Sequence, residues 1–205
     1  MITLTDGKFG ESVANILKTM TGAPPVPLLV ALTDIERVVS HAAFVAVASW
    51  RRSDRELDAI DEACFSAGVP WCSAWLIEDR LACGPLVIPP GGPCYRCFRR
   101  RYLCHHPAPE REIRLQSAYN RDASLGAAGF APSSAWMAAS MLAAAAKGQK
   151  ENAGEIIEVN LFDGGVLDTR VVPVHGCTRC RTRTEARAGG RFVDHIIPAI
   201  EDLLT

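Results

Sequence analysis

The sequence predicts an α/β fold, a mainly parallel sheet carrying a C-terminal β-hairpin. Three observations predict it. Residues 42–48, AAFVAVA, form an unbroken apolar run of strand length, as expected for a strand covered on both faces. From there the pattern reads strand, helix, strand through residue 77, for which a parallel sheet with a right-handed crossover is the default. Residues 155–162 and 166–174 are β-prone runs joined by Asp163-Gly164-Gly165, a strong hairpin signal.

The other elements follow from local chemistry. Ile2, Thr3 and Leu4 make a short β-prone start, and residues 6–10, DGKFG, read as a turn. Residues 11–20 then place Val13, Ile16, Leu17 and Met20 on one helical face, and Thr21-Gly22 supplies the stop. Pro24, Pro25 and Pro27 keep the next stretch extended, so the apolar residues 26–32 predict a second strand. Asp34 is placed to cap a short helix over 35–39, and Ser53 to cap a longer one whose Leu57, Ile60, Ala63 and Cys64 form an apolar stripe ending at Gly68. Residues 69–77 and 81–88 read as strands, and 104–122, polar and without a clear period, as a long surface loop. Ser133 or Ser134 caps a small-residue helix, AWMAASMLAAAAK, expected to be buried. Residues 191–204 are amphipathic, interrupted by Pro198.

At 205 residues the chain has the length of one large domain. Its formal net charge of -1 gives no global reason to expect nucleic acid or anionic membrane as a partner. The N-terminus lacks the basic start and apolar run of a signal peptide, and no uncharged stretch is long enough to span a bilayer. A cytoplasmic location is expected, and there paired cysteines point to metal binding in preference to disulfides.

Two pairs stand out among the eight cysteines: Cys94-Tyr95-Arg96-Cys97 and Cys177-Thr178-Arg179-Cys180. Zinc accepts four thiolates in a tetrahedron, and two Cys-x-x-Cys turns supply them with little loop strain. One pair alone would also suit a redox dithiol; two predict a closed structural zinc site with no open position for water. Cys104, His105 and His106 are spare donors on a loop, and Cys64, Cys72 and Cys83 lie in apolar surroundings that suit core thiols.

Pro93-Cys94-Tyr95-Arg96-Cys97 and the late Cys-x-x-Cys resemble the ThiF/MoeB/HesA superfamily of ubiquitin-activating-like proteins, whose members commonly bind zinc through such motifs. Three passages resemble more closely the truncated ThiF-like leader-peptide-binding or cyclodehydratase-associated partner proteins of modified-peptide biosynthesis: VPWCSAWLIEDRLACGPLVIPPGGPCYRCFRRR, PSSAWMAASMLAAAA, and a hairpin ending in HGCTRC. The resemblance covers 42–180. It implies a truncated Rossmann-like ThiF-type sheet, a homodimer, a precursor peptide and the tailoring enzymes of the same gene cluster as partners. The expected division is a single domain over 1–205: a degenerate remnant of the nucleotide half (1–41), the ThiF-like body with its zinc site (42–180), and a tail helix (181–205).

Two departures from the family shape the functional expectation. Catalytic members bind ATP on a GxGxxG turn after the first strand; here DGKFG keeps two glycines and sets Phe9 where backbone should approach phosphate. The stretch between Met20 and Ala42 is also too short for the rest of a nucleotide half, so no ATP is expected. Peptide-binding relatives carry a winged-helix-like recognition domain ahead of the ThiF-like part, whereas here that part starts at residue 1. A bound peptide is then expected on the ThiF-like body, at a dimer interface, or through a separate recognition partner.

Arg96, Arg99, Arg100 and Arg101 adjoin the first cysteine pair, and Arg179, Arg181, Arg183 and Arg187 the second. They form either a solvated basic rim or a surface for an acidic peptide segment, with Arg99, Arg100 and Arg101 the candidate contacts. No catalytic grouping emerges among His41, His105, His106, His175 and His195, and Trp71, Trp75 and Trp136 suit a core. The expected function is a non-catalytic precursor-peptide scaffold. The rivals are an ATP-dependent ThiF/MoeB-like adenylating enzyme and a zinc-ribbon nucleic-acid module, for which the overall charge is too balanced.

Overall fold

The computed structural model describes residues 1–148 and 150–180. The expected tail helix, with Arg181, Arg183, Arg187 and His195, lies outside the described residues. Seven strands form one sheet: β1 (Ile2–Asp6), β2 (Pro25–Pro27), β3 (Val45–Ser49), β4 (Trp71–Ile77), β5 (Arg80–Cys83), β6 (Glu155–Asn160) and β7 (Val166–Arg170). Their order is β2-β1-β3-β4-β5-β6-β7. The first four run parallel, and β5, β6 and β7 continue antiparallel.

Among the described residues seven α-helices accompany the sheet: α1 (Gly7–Thr21), α2 (Leu28–Ala31), α3 (Ile35–Ser40), α4 (Asp54–Ala67), α5 (Tyr95–His105), α6 (Pro109–Arg121) and α7 (Pro132–Ala145). The run 42–48 leads into the buried strand β3, which starts only at Val45 and runs on to Ser49, and its alternation divides the core. Val45 and Val47 join Trp71 and Trp75 of β4 in a cluster with Leu57, Ile60, Tyr95, Phe98 and the paired cysteines. Ala46 and Ala48 turn to the other face, where they meet Phe9, Val13 and Leu17 of α1 and Ala135, Ala138 and Leu142 of α7. Small side chains on that face let α1 come close. A Cβ on Gly10 would stand 2.2 Å from the Ala48 carbonyl oxygen.

Several local expectations are corrected. Residues 6–10 are not a turn: β1 passes directly into α1 at Gly7, whose positive φ of 68° makes the change of direction. Of the strand expected over 26–32 only β2 forms, because after Pro27 the chain coils into α2. The expected strand over 81–88 is regular only as β5. The helix α7 starts at Pro132, with Ala131 as its N-cap, ahead of the expected serines. Trp136 faces outward, 56% exposed, against the expectation of a core residue.

The largest correction concerns 104–122, expected as loop and found as the end of α5 followed by α6. The face that α6 buries is polar, Glu112 and Gln116, while its Ile113 and Leu115 are exposed. That inversion hid the helix from an apolar-period reading. Gln116 Oε1 accepts the Asp54 amide at 2.9 Å and so caps α4, for which Ser53 makes no side-chain cap bond. Among the described residues no helix is long and apolar enough to cross a membrane.

Candidate functional site

The four paired cysteines converge. Cys94 is the N-cap of α5 and Cys97 lies in its first turn, so both sulfurs leave the same side of the helix. Cys177 and Cys180 arrive from the turns after β7, entered through Gly176 at φ 70°. Sulfur separations are 3.8 Å for Cys94–Cys97, 3.7 Å for Cys94–Cys177 and 3.4 Å for Cys97–Cys180. All four sulfurs lie within 4.8 Å of one another, and all four residues are buried. A tetrahedron with metal–sulfur bonds of about 2.3 Å has edges of about 3.8 Å. The cluster therefore fits a metal ion of zinc's size and preference.

The surroundings favour a bound cation. The Val174 amide donates to Cys97 Sγ at 3.3 Å. Thiol donation from Cys180 and Cys94, together with that amide, pulls the Cys97 thiol well below its usual value. Hydrogen bonding to Cys180 and Cys97 pushes Cys94 far up. A bound metal would take the place of the thiol protons. Cys104, His105 and His106 sit at the far end of α5, outside the cluster. Cys64, Cys72 and Cys83 are buried, as expected.

Two acidic residues organise the arginines around this centre. Asp61 of α4 is fully buried and accepts hydrogen bonds from Arg179 at 2.6 Å, Trp71 Nε1 at 3.2 Å and the Tyr95 amide at 3.3 Å. Arg179 also reaches Glu62, and Arg96 pairs with Asp58 and Glu62 at 3.0 Å each. Asp54, also buried, accepts from Tyr95 Oη at 2.6 Å and Arg52 Nε at 2.9 Å, with Arg99 3.3 Å away. Arg52 further contacts Glu112 and lies 4.0 Å above the Tyr102 ring.

Of the described arginines in the expected basic rim, Arg96, Arg99 and Arg179 pair with acidic residues of α4. Of the three candidate peptide contacts, Arg99 faces Asp54, and Arg101 donates to the carbonyls of Val172 and Pro173, clamping α5 to the segment leading into the second cysteine pair. Arg100 is exposed and makes no hydrogen bond or ion pair among the described residues. Among the described arginines around the cysteines, Arg100 alone lacks such a partner, whereas a nucleic-acid surface needs unpaired cations in number.

In open α/β sheets ligands bind outside the carboxyl ends of the strands where strand order reverses, here between β1 and β3. Trp50 occupies that crevice. A Cβ on Gly7 would stand 2.5 Å from its indole, and so would one on Gly126, so the ring lies between the two glycines. Trp50 Nε1 and Ser49 Oγ both donate to Asp6 Oδ2 at 3.1 Å, and Arg51 Nε lies 3.8 Å from the same oxygen. Arg51 itself is buried, donates to the carbonyls of Asp122 and Leu125, and lies 4.9 Å from the Tyr119 ring centroid. Burial and the neighbouring Asp6 raise the Glu56 carboxyl above its usual value. The adjoining cleft along β2 is lined by Asp6, Glu11 and Asn15. An indole and carboxylates thus stand at the end of β1 beside the start of α1, where phosphate-binding sheets present free amides.

Sequence reasoning overlooked Asp6, Trp50, Arg51, Asp54 and Asp61. The first three carried a usable signal, since they close β1 and follow β3, the strand ends at which such sheets place ligands.

No protein-family model and no curated protein matches the chain. Solved structures do. The heterocyclase TruD is 19% identical, with a TM-score of 0.61 over 87% of this chain and 27% of its own. A structure of E. coli MccB with ATP is 15% identical, with a TM-score of 0.59 over 88% of this chain and 65% of that one. The E. coli microcin synthetase McbBCD complex contains a chain 12% identical, with a TM-score of 0.62 over 87% and 68%. The chain spans only about a quarter of the length of the heterocyclases it resembles. The likeness is one of fold: the α/β sheet expected from the sequence has the architecture of these solved structures.

Proposed function

We propose that this chain is a non-catalytic scaffold in the biosynthesis of a ribosomally synthesised, post-translationally modified peptide, holding the precursor and presenting it to a tailoring enzyme. The observation that carries the reading is the filled crevice. The fold is shared with heterocyclases and with MccB, whose structure was solved with ATP, yet here Trp50 and Asp6 occupy the space at the ends of β1 and β3. A chain that keeps the frame and fills the nucleotide crevice retains a use for its surfaces, not for adenylation. In this reading residues 1–41 serve as a framework remnant of a nucleotide half.

The same reading assigns one zinc ion to Cys94, Cys97, Cys177 and Cys180. Four thiolates leave no position for water or substrate, so the ion braces structure. It ties the start of α5 to the segment after β7, and Arg101, Asp61 and Arg179 reinforce the same junction. Zinc supplies no chemistry to the peptide.

Two titrations test the proposal. A labelled precursor peptide encoded beside this gene is expected to bind at micromolar concentration and to weaken in part with added salt, because only the charged contribution is screened. Absence of binding at tens of micromolar would overturn the scaffold reading. Calorimetry with ATP and magnesium is expected to give no binding heat; micromolar affinity, or pyrophosphate exchange with the peptide, would restore the adenylating enzyme.

A further inference from the structure

The two edges of the sheet are built differently. At one, β2 carries Pro25 and Pro27 around Val26; proline removes the amide a neighbouring strand would use, and such edges resist pairing. At the other, every residue of β7 is exposed, and no described strand lies beyond it. Phe162 at the hairpin tip is 94% exposed, and Val166, Leu167 and Val172 are exposed as well. An open, partly apolar edge without proline is a template for another strand.

The main-chain pattern restricts what can pair there. The Asn160 amide bonds the Gly165 carbonyl at 2.8 Å, and the Val171 amide bonds the Gly154 carbonyl at 2.8 Å. Antiparallel ladders alternate, so Gly165, Leu167, Thr169 and Val171 turn their main-chain groups toward β6. Those of Val166, Asp168 and Arg170 point outward. A second copy can then pair antiparallel only in registers that set these outward residues opposite one another.

From this parity and the order of charges, we propose that β7 pairs with β7 of a second copy of this chain, with the two-fold axis at Thr169. That register sets each Asp168 opposite the other copy's Arg170, twice by symmetry, and Leu167 opposite Val171. It also brings the exposed Val166 beside the exposed Val172. The neighbouring allowed registers are worse. An axis at Asp168 opposes the two carboxylates, and one at Arg170 opposes the two guanidinium groups; like charges directly opposite are destabilising. The segment VLDTRVV is thus self-complementary about Thr169. The inference rests on strand geometry and does not depend on the peptide reading.

Sedimentation velocity of the full-length protein tests it. Wild type is expected as a dimer at tens of micromolar. Asp168→Arg and Arg170→Asp should each weaken the dimer by about tenfold or more, and the double exchange should restore it. Circular dichroism confirms that each variant folds. In a Cys104→Ser background, Thr169→Cys should give a disulfide-linked dimer under mild oxidation, because residues opposite each other in a non-hydrogen-bonded pair have Cα atoms about 4.5 Å apart, within disulfide range. A monomeric wild type would overturn the proposal, including one in which this edge takes up only the peptide. So would a dimer indifferent to the single exchanges, or one that Thr169→Cys fails to cross-link.

Discussion

Replacing Asp61 by alanine should destabilise the protein more than any other single change on α4. Its carboxylate is the acceptor for Arg179, Trp71 Nε1 and the Tyr95 amide, all at buried positions. Removing one partner of a buried ion pair costs about 3–5 kcal/mol, chiefly through the charge left behind. Two considerations select the lower end. Arg179 keeps contacts with Glu62 and Asp58, and burial holds the Asp61 carboxyl above its usual value despite Arg179, so ionisation already carries a desolvation cost. A loss of about 3 kcal/mol in a domain of this size lowers Tm by about 6–12 °C. Asp61→Asn keeps an acceptor for Trp71 and Tyr95 while losing the charge, so it should fall between. Thermal unfolding followed by circular dichroism measures both. An Asp61→Ala protein within about 2 °C of wild type would refute the reasoning, since it would mean that none of the three donors needs this acceptor.

Metal analysis of protein never exposed to chelator should find one zinc per chain, and less than about half an ion would count against a closed four-thiolate site. Stripping the ion should abolish hydrogen-exchange protection in α5 and the segment before Cys177, while β1, β3 and α1, packed in part on the opposite face, retain theirs. Cys94→Ser should lose the ion and lower solubility. Precursor binding should survive an Arg99/Arg100/Arg101 triple alanine variant with a smaller salt dependence if these arginines contribute; identical affinity and salt dependence would remove them from the peptide surface.

The parallel half of the sheet was legible because strands covered on both faces need continuous apolar runs, and 42–48 is one. The four-cysteine cluster was legible because spacing alone brings two sulfurs together, and two such pairs supply four donors for one metal ion. What escaped the sequence at α6 and in the arginine network has a common physical cause, the burial of polar groups. Glu112 and Gln116 lie on the buried face of α6, and Asp54 and Asp61 on that of α4. Their burial depends on partners distant in sequence, such as Arg52 and Arg179. Local signals for the missed helices did exist: Tyr95, Phe98 and Tyr102 recur at helical spacing with ring centroids 5.5 and 5.6 Å apart, and Pro109 with Glu110 and Glu112 makes a favourable first turn.

The glycines after β1 show how one motif serves two ends. Glycine there lets backbone approach a phosphate in nucleotide-binding relatives, but in this chain both glycines are explained by packing. Gly7 lies under the Trp50 ring, and Gly10 lets α1 settle on β3. This makes Gly10→Ala informative. Within a helix, glycine to alanine ordinarily stabilises by about 1 kcal/mol through propensity. Here the new Cβ would meet the Ala48 main-chain oxygen at 2.2 Å. A backbone atom of a central strand cannot swing aside as a side chain can, so α1 must lift from Ala46 and Ala48, and overpacking of this kind costs about 1–3 kcal/mol. The two effects oppose each other, and the steric one should win. Denaturant unfolding is expected to show a lower midpoint for Gly10→Ala with an unchanged slope. A higher midpoint would mean that α1 stands further from β3, leaving Gly10 without a packing reason and reopening a ligand's claim on the start of α1.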